Sequence, residues 1–237
     1  MRLEKNALVE SLRGALIISC QADPGSPFRD SRMIAAFAKA AQVGGASAVR
    51  IQSLEDVRAV REAVSLPIIG LTKRVMDGFD VYITPTPDEA RALVAAGSSI
   101  VAFDATRRER PYSVLELTQA VHNAGAMAMA DCATLADAKE AIAAGVDFVG
   151  TTMSGYTPDS PRPAPDPLTG VVGADWDLIA AAVKLGTPVI AEGRISSPAD
   201  ARRALELGAH AVVVGTVITR PDVVVGWYAN AVRSVGR

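Results

Sequence analysis

The chain has 237 residues, of which 49% are hydrophobic, 24 are Lys or Arg and 26 are Asp or Glu, for a formal net charge of −2 and a pI of about 5.8. That length and apolar share support a large buried core and suit a single (β/α)8 domain over 1–237 at least as well as two small domains. The balanced charge supplies no basic footprint for nucleic acid and none for an anionic membrane, so a small molecule is the expected partner.

Residues 4–12 are expected to form a short helix that plugs one end of the fold. The apolar run 15–19 that follows is too short for a signal-peptide core or a membrane span, and a cytoplasmic setting is expected. Next comes a motif that recurs along the chain: Ala-x-x-(Ala/Leu)-x-x-x-Gly at 38–45, 90–97, 138–145 and 201–208. Each copy puts small or apolar residues on one helical face, closes on a C-cap glycine and runs into an apolar segment. Those segments read Ala-Val-Arg-Ile from 48, Ile-Val-Ala-Phe-Asp from 100, Phe-Val-Gly-Thr from 148 and Val-Val-Val-Gly from 212.

Successive repeat glycines lie 52, 48 and 63 residues apart, long enough for two βα units rather than one. The intervening strands are expected at 15–21, 67–73, 126–131 and 188–192. Eight strands, mostly continuous and apolar, with helices between them describe a parallel sheet covered by helices. Eight such units close most simply into a (β/α)8 TIM barrel, with an open doubly wound sheet as the rival. No Gly-x-Gly-x-x-Gly follows the first strand and no P-loop motif occurs, which argues against a dinucleotide or nucleotide cofactor.

Cys20 and Cys132 match no zinc spacing and read as reduced, buried thiols. His122 and His210 fall near a helix end and a strand start, on the wrong side of such a barrel for catalysis, so no metal site is expected. The last spacing is longest because 157–173 carries prolines at 158, 161, 163, 165 and 167, before a helix expected to start near Ala174. That stretch reads as a loop over the carboxyl face, either a lid or an inert connection.

In barrels the chemistry sits at the carboxyl ends of the strands. The odd strands end in Gln21, Lys73, Asp131 and Glu192, which are expected to form one polar layer at the mouth; Arg50 and Thr151 stand at even-strand ends. Lys73 and Glu192 approach from opposed strands, which suits moving a proton on carbon. Structural alternatives stand beside these roles. Arg50 could pair with Asp104, Asp131 could orient Lys73, and Thr151 could cap backbone groups. Gly193 with Arg194 and Gly215 with Thr216 follow strands seven and eight, where barrels bind phosphate through loop N–H groups; Arg220 is a further candidate there.

Several stretches also resemble the N-acetylmannosamine-6-phosphate 2-epimerase family. They are Ser19-Cys-Gln-Ala22, Pro67-Ile-Ile-Gly-Leu-Thr-Lys73, Val81-Tyr-Ile-Thr-Pro-Thr86, Phe103-Asp-Ala-Thr-Arg107 with Arg110-Pro111, Met129-Ala-Asp131, Thr151-Thr-Met-Ser-Gly-Tyr-Thr157, Ala191-Glu-Gly-Arg194 and Val214-Gly-Thr-Val-Ile-Thr-Arg-Pro221. Thr72 stands where the family often has isoleucine and Phe103 where leucine is usual. The resemblance implies C2 epimerisation of N-acetylmannosamine 6-phosphate without metal or nucleotide. It makes Lys73 and Glu192 the catalytic pair and Gln21, Arg50 and Asp131 sugar contacts. One-base and two-base proton transfer remain open at this point, and so do a Schiff-base lyase or aldolase and a non-catalytic sugar-phosphate sensor. A homodimer is plausible because symmetric pairs are the commonest assemblies.

Overall fold

The computed structural model describes residues 2–160 and 162–235; Pro161, one of the five loop prolines, lies outside the described residues. Helix α1 (Arg2–Ser11) leads into β1 (Ala15–Cys20), α2 (Ser31–Val43), β2 (Ala48–Gln52), α3 (Leu54–Ala63) and β3 (Ile68–Leu71). Then come α4 (Pro87–Ala95), β4 (Ile100–Asp104), α5 (Val114–Asn123), β5 (Met127–Asp131), α6 (Leu135–Ala143) and β6 (Phe148–Gly150). The chain closes with α7 (Trp176–Val183), β7 (Val189–Ala191), α8 (Pro198–Glu206), β8 (Ala211–Val214), α9 (Thr216–Thr219) and α10 (Pro221–Ser234). The strands pair in parallel and in chain order, and β8 returns to β1 with Ala211 opposite Ala15. This is the (β/α)8 barrel that the repeat spacing predicts.

Alternation along the strands divides the core in two. Ile17, Ala48, Ile69, Ile100, Phe148 and Ile190 fill the barrel interior, while the intervening residues, such as Ile18, Val49 and Val101, meet the helices. Every strand is buried on both faces, which is why its sequence is a near-continuous apolar run. The glycines ending the four repeats all adopt positive φ, from 84° at Gly145 to 114° at Gly97, as a residue just past a helix C-terminus requires.

Below the barrel, Leu12 is fully buried against interior residues, so α1 and its turn form the expected plug. His210 belongs to that end, with Nε2 2.7 Å from the Val9 carbonyl, and His122 lies 2.7 Å from Asp147. Among the described residues, no helix is long and apolar enough to cross a membrane.

The structure differs from the sequence expectation at the strand ends. Hydrogen-bonded pairing stops at Cys20, Leu71 and Ala191, so Gln21, Lys73 and Glu192 all stand on the rim just past their strands. Beyond β3 the chain doubles back in a small hairpin, with Lys73 bridged to Ile83 and Met76 to Phe79. The proline-rich loop runs to Asp175, which caps α7 by accepting from Leu178 N–H at 2.9 Å. Past β8, α10 buries none of its residues, leaving Val225, Tyr228 and Val232 exposed.

Candidate active site

A cavity of about 480 Å³ opens at the carboxyl ends of the strands. Gln21, Arg50, Lys73 and Glu192 line its floor and walls, and Gly193, Arg194, Gly215, Thr216 and Arg220 line its rim. Of the expected site residues, Asp131 and Thr151 are outside this lining.

The floor is built around Arg50, which is 1% exposed and projects inward from β2. Its Nη1 and Nη2 donate to the two Asp131 oxygens at 3.0 and 2.5 Å, and Nη1 also donates to Glu192 Oε2 at 2.6 Å. Arg50 therefore does not pair with Asp104. That carboxylate is held by its own loop, with Arg108 at 2.6 Å and Thr106 Oγ1 at 2.7 Å. Asp131, fully buried, orients Arg50 rather than Lys73. Gly150 makes room for this pairing: a Cβ there would lie 2.6 Å from Met129 Cε and 3.0 Å from Asp131 Oδ1.

One guanidinium thus serves two carboxylates, and Asp131 takes the larger share of it. Burial consequently raises the Glu192 pKa to about 7 despite the opposing pull of Arg50. A carboxyl group in that state can donate a proton near neutrality. Lys73 lines the cavity from the hairpin arm, with its side chain exposed. Desolvation, then the positive charge of Arg50, lowers its pKa below the ordinary lysine value, the direction a base requires.

Two further polar atoms point toward unfilled demand. Gln21 Nε2 donates to Ser19 Oγ at 2.8 Å, whereas Gln21 Oε1 is buried with no partner among the described residues; Arg50 Nε is in the same condition. Unpaired buried groups of this kind are what a hydroxyl-rich ligand satisfies. Among the described residues no group of three or more His, Cys, Asp and Glu side chains is arranged to hold a metal ion.

At the rim, Gly193 and Arg194 both have positive φ, 104° and 61°. The N–H groups of Gly193, Arg194, Gly215 and Thr216 have no acceptor among the described residues, so two cavity-lining loops carry unclaimed backbone donors. The Arg194 side chain does something else. Its Nε donates to Gly173 O at 2.7 Å and its Nη1 to Ser154 O at 2.5 Å, tying together the two ends of the proline-rich loop. Arg162, Gly170 and Val172 of that loop line the cavity, as does Tyr156 just before it, so the loop forms one of its walls. Arg220 pairs with Asp23 across the mouth.

Thr151 Oγ1 accepts from Glu192 N at 3.0 Å and donates to Glu192 O at 2.8 Å, so it clamps the backbone that carries Glu192. Thr152, which the sequence places beside Thr151 at the same strand end but which was not among the expected site residues, is the threonine that lines the cavity, and it donates to Asp131 Oδ1 at 2.7 Å. The signal for it was present, since alternation through inward Phe148 and Gly150 selects 152. Tyr82 and Asp23 also line the cavity. Burial raises the Tyr82 pKa, and among the described residues its hydroxyl reaches only Met153 Sδ, 3.9 Å away.

Residues 34–234 match the family described as "NanE: Putative N-acetylmannosamine-6-phosphate epimerase". The chain is 47% identical over 230 residues to the "Bifunctional enzyme NanE/NanK" of Brucella melitensis, covering 97% of this chain but only 43% of that relative. It is 46% identical to the "Putative N-acetylmannosamine-6-phosphate 2-epimerase" of Cutibacterium acnes, covering 95% of this chain and 97% of the relative. In three dimensions it resembles the N-acetylmannosamine-6-phosphate 2-epimerase of Clostridium perfringens, with a TM-score of 0.89 at 39% identity and coverage of 94% and 95%.

Proposed function

The chain belongs to the N-acetylmannosamine-6-phosphate epimerase family, and from that premise we propose that it interconverts N-acetylmannosamine 6-phosphate and N-acetylglucosamine 6-phosphate in sialic acid and amino sugar breakdown, acting as one barrel unit in the cytoplasm. The observation that carries this reading is the convergence of Lys73 and Glu192, with Arg50 beside them, in one cavity whose rim presents two glycine-bearing loops.

The chemistry follows from the substrate. With the pyranose ring open, the C2 proton is α to the C1 aldehyde and acidified by it. Neutral Lys73 takes that proton, the C–H electron pair moves into an enolate, and the charge that builds on O1 lies in the field of buried Arg50. Return of a proton to the other face of C2 gives the epimer. Protonated Glu192 supplies the acid, for ring opening or for C2. One-base and two-base versions use the same pair, and the hydrogen isotope at C2 of first-turnover product in heavy water separates them.

The 6-phosphate is assigned to the N–H groups of 193–194 and 215–216, with Arg220 leaving Asp23 to meet it. Arg194 contributes its backbone, its side chain being engaged with the loop. Gln21, with a free acceptor, contacts a sugar hydroxyl; Asp131 and Thr151 act through Arg50 and the Glu192 backbone. Proton transfer next to a carbonyl calls for no cofactor. A homodimer is supported by the apolar residues that α10 leaves exposed, and sedimentation would read it.

Lys73→Ala tests the assignment. It should abolish epimerisation and leave sugar-phosphate binding measurable; retained turnover would remove Lys73 from the reaction. A covalent adduct trapped on Lys73 by borohydride would favour Schiff-base chemistry instead.

A further inference from the structure

Lys73 is not on a strand. It stands on the first arm of the 72–84 hairpin, bridged to Ile83 on the second arm. The arms are joined by Arg74 N–H donating to Tyr82 O at 2.9 Å and Thr84 N–H donating to Thr72 O at 3.0 Å. Where the hairpin rejoins the barrel stands Thr84, fully buried and with φ of +43°. A β-branched residue in the left-handed region is a genuine outlier, and a glycine would sit there without strain. Strain of this kind persists where the surroundings hold it and marks a constrained position.

What threonine supplies is its hydroxyl. Thr84 Oγ1 accepts from Thr72 N–H at 3.1 Å, next to Lys73, and donates to Ala102 O at 2.7 Å on β4. It therefore pins the residue before Lys73 to the barrel wall. Asp104 N–H, donating to Ile83 O at 2.9 Å, fastens the opposite arm to the same strand.

We propose that Thr84 is a positioning residue for Lys73, its hydroxyl locking the lysine-bearing arm to β4 at the cost of a strained backbone. The proposal rests on Lys73 acting as the base. A base displaced by about 1 Å loses on the order of 10²-fold in rate, while the phosphate loops, on the far side of the mouth, are untouched.

The test compares Thr84→Gly, Thr84→Val and Thr84→Ser with wild type, and with Lys73→Ala as control. Gly relieves the strain and deletes the hydroxyl; Val keeps the branching and deletes it; Ser keeps the hydroxyl. The expected result is a kcat fall of about 100-fold in the Gly and Val variants with KM unchanged, and turnover restored by Ser. Full kcat in a folded Gly variant, or a Ser variant as slow as Gly, would overturn the proposal. If neither Gly nor Val yields folded protein, the hydroxyl holds the barrel rather than the lysine, and the proposal is rejected. Turnover in the Lys73→Ala control would instead reject the reading of Lys73 as base, a different outcome from any of these.

Discussion

Removing the Arg50 charge probes the floor of the cavity. Arg50→Met keeps an unbranched apolar stem but leaves two carboxylates, Asp131 at 0% and Glu192 at 12% side-chain exposure, without their shared counter-charge. Deleting one partner of a buried ion pair costs about 3–5 kcal/mol. For a barrel of this size that corresponds to a drop of about 6–20 °C in Tm. The deficit should shrink as pH falls, because Glu192, already raised to about 7, protonates first and removes one stranded charge. Asp131→Asn in the same background should recover part of it. Thermal unfolding from about pH 5 to about pH 8 reads all three. A loss under about 1 kcal/mol, or one equal at every pH, would refute the view that Arg50 neutralises both groups.

Two further outcomes follow from the same geometry. Glu192→Gln should lower kcat and erase the alkaline limb of the kcat/KM profile that the wild type is expected to show near pH 7, since activity needs the protonated acid. It should also flatten stability against pH. The protonated Glu192 contributes fully below its unfolded value of 4.5, and that contribution is lost as pH rises through about 7; an unchanged alkaline limb would detach Glu192 from the acid role. Arg194→Ala frees the Ser154 and Gly173 carbonyls, so proteolysis should accelerate within 154–173 at a cost of about 1–3 kcal/mol; unchanged cleavage would show that the loop is held elsewhere.

The barrel was legible because parallel strands buried on both faces read as unbroken apolar runs, and because repeat glycines past the helix ends mark every second unit. Ile100–Asp104 was expected at its observed limits. The partners of Arg50 were not legible. Which carboxylate a long side chain meets across a barrel depends on stagger and on who else claims it, and Asp104 is claimed by Arg108 and Thr106. The 72–84 hairpin left no periodic trace, since its two arms pair through isolated bridges rather than a ladder. Thr151 and Thr152 were separable in principle by the two-residue period of β6, but adjacent identical residues conceal which one faces in. Arg194 was expected at phosphate because of its place after β7; the long loop that occupies its guanidinium joins it only in three dimensions.

Proton NMR of N-acetylmannosamine 6-phosphate with the protein in heavy water addresses the Lys73 chemistry most directly. The C2 proton signal should fade as the two epimers equilibrate, and should persist unchanged with Lys73→Ala. Full retention of hydrogen at C2 through many turnovers, or exchange by the alanine variant, would contradict abstraction of that proton by Lys73.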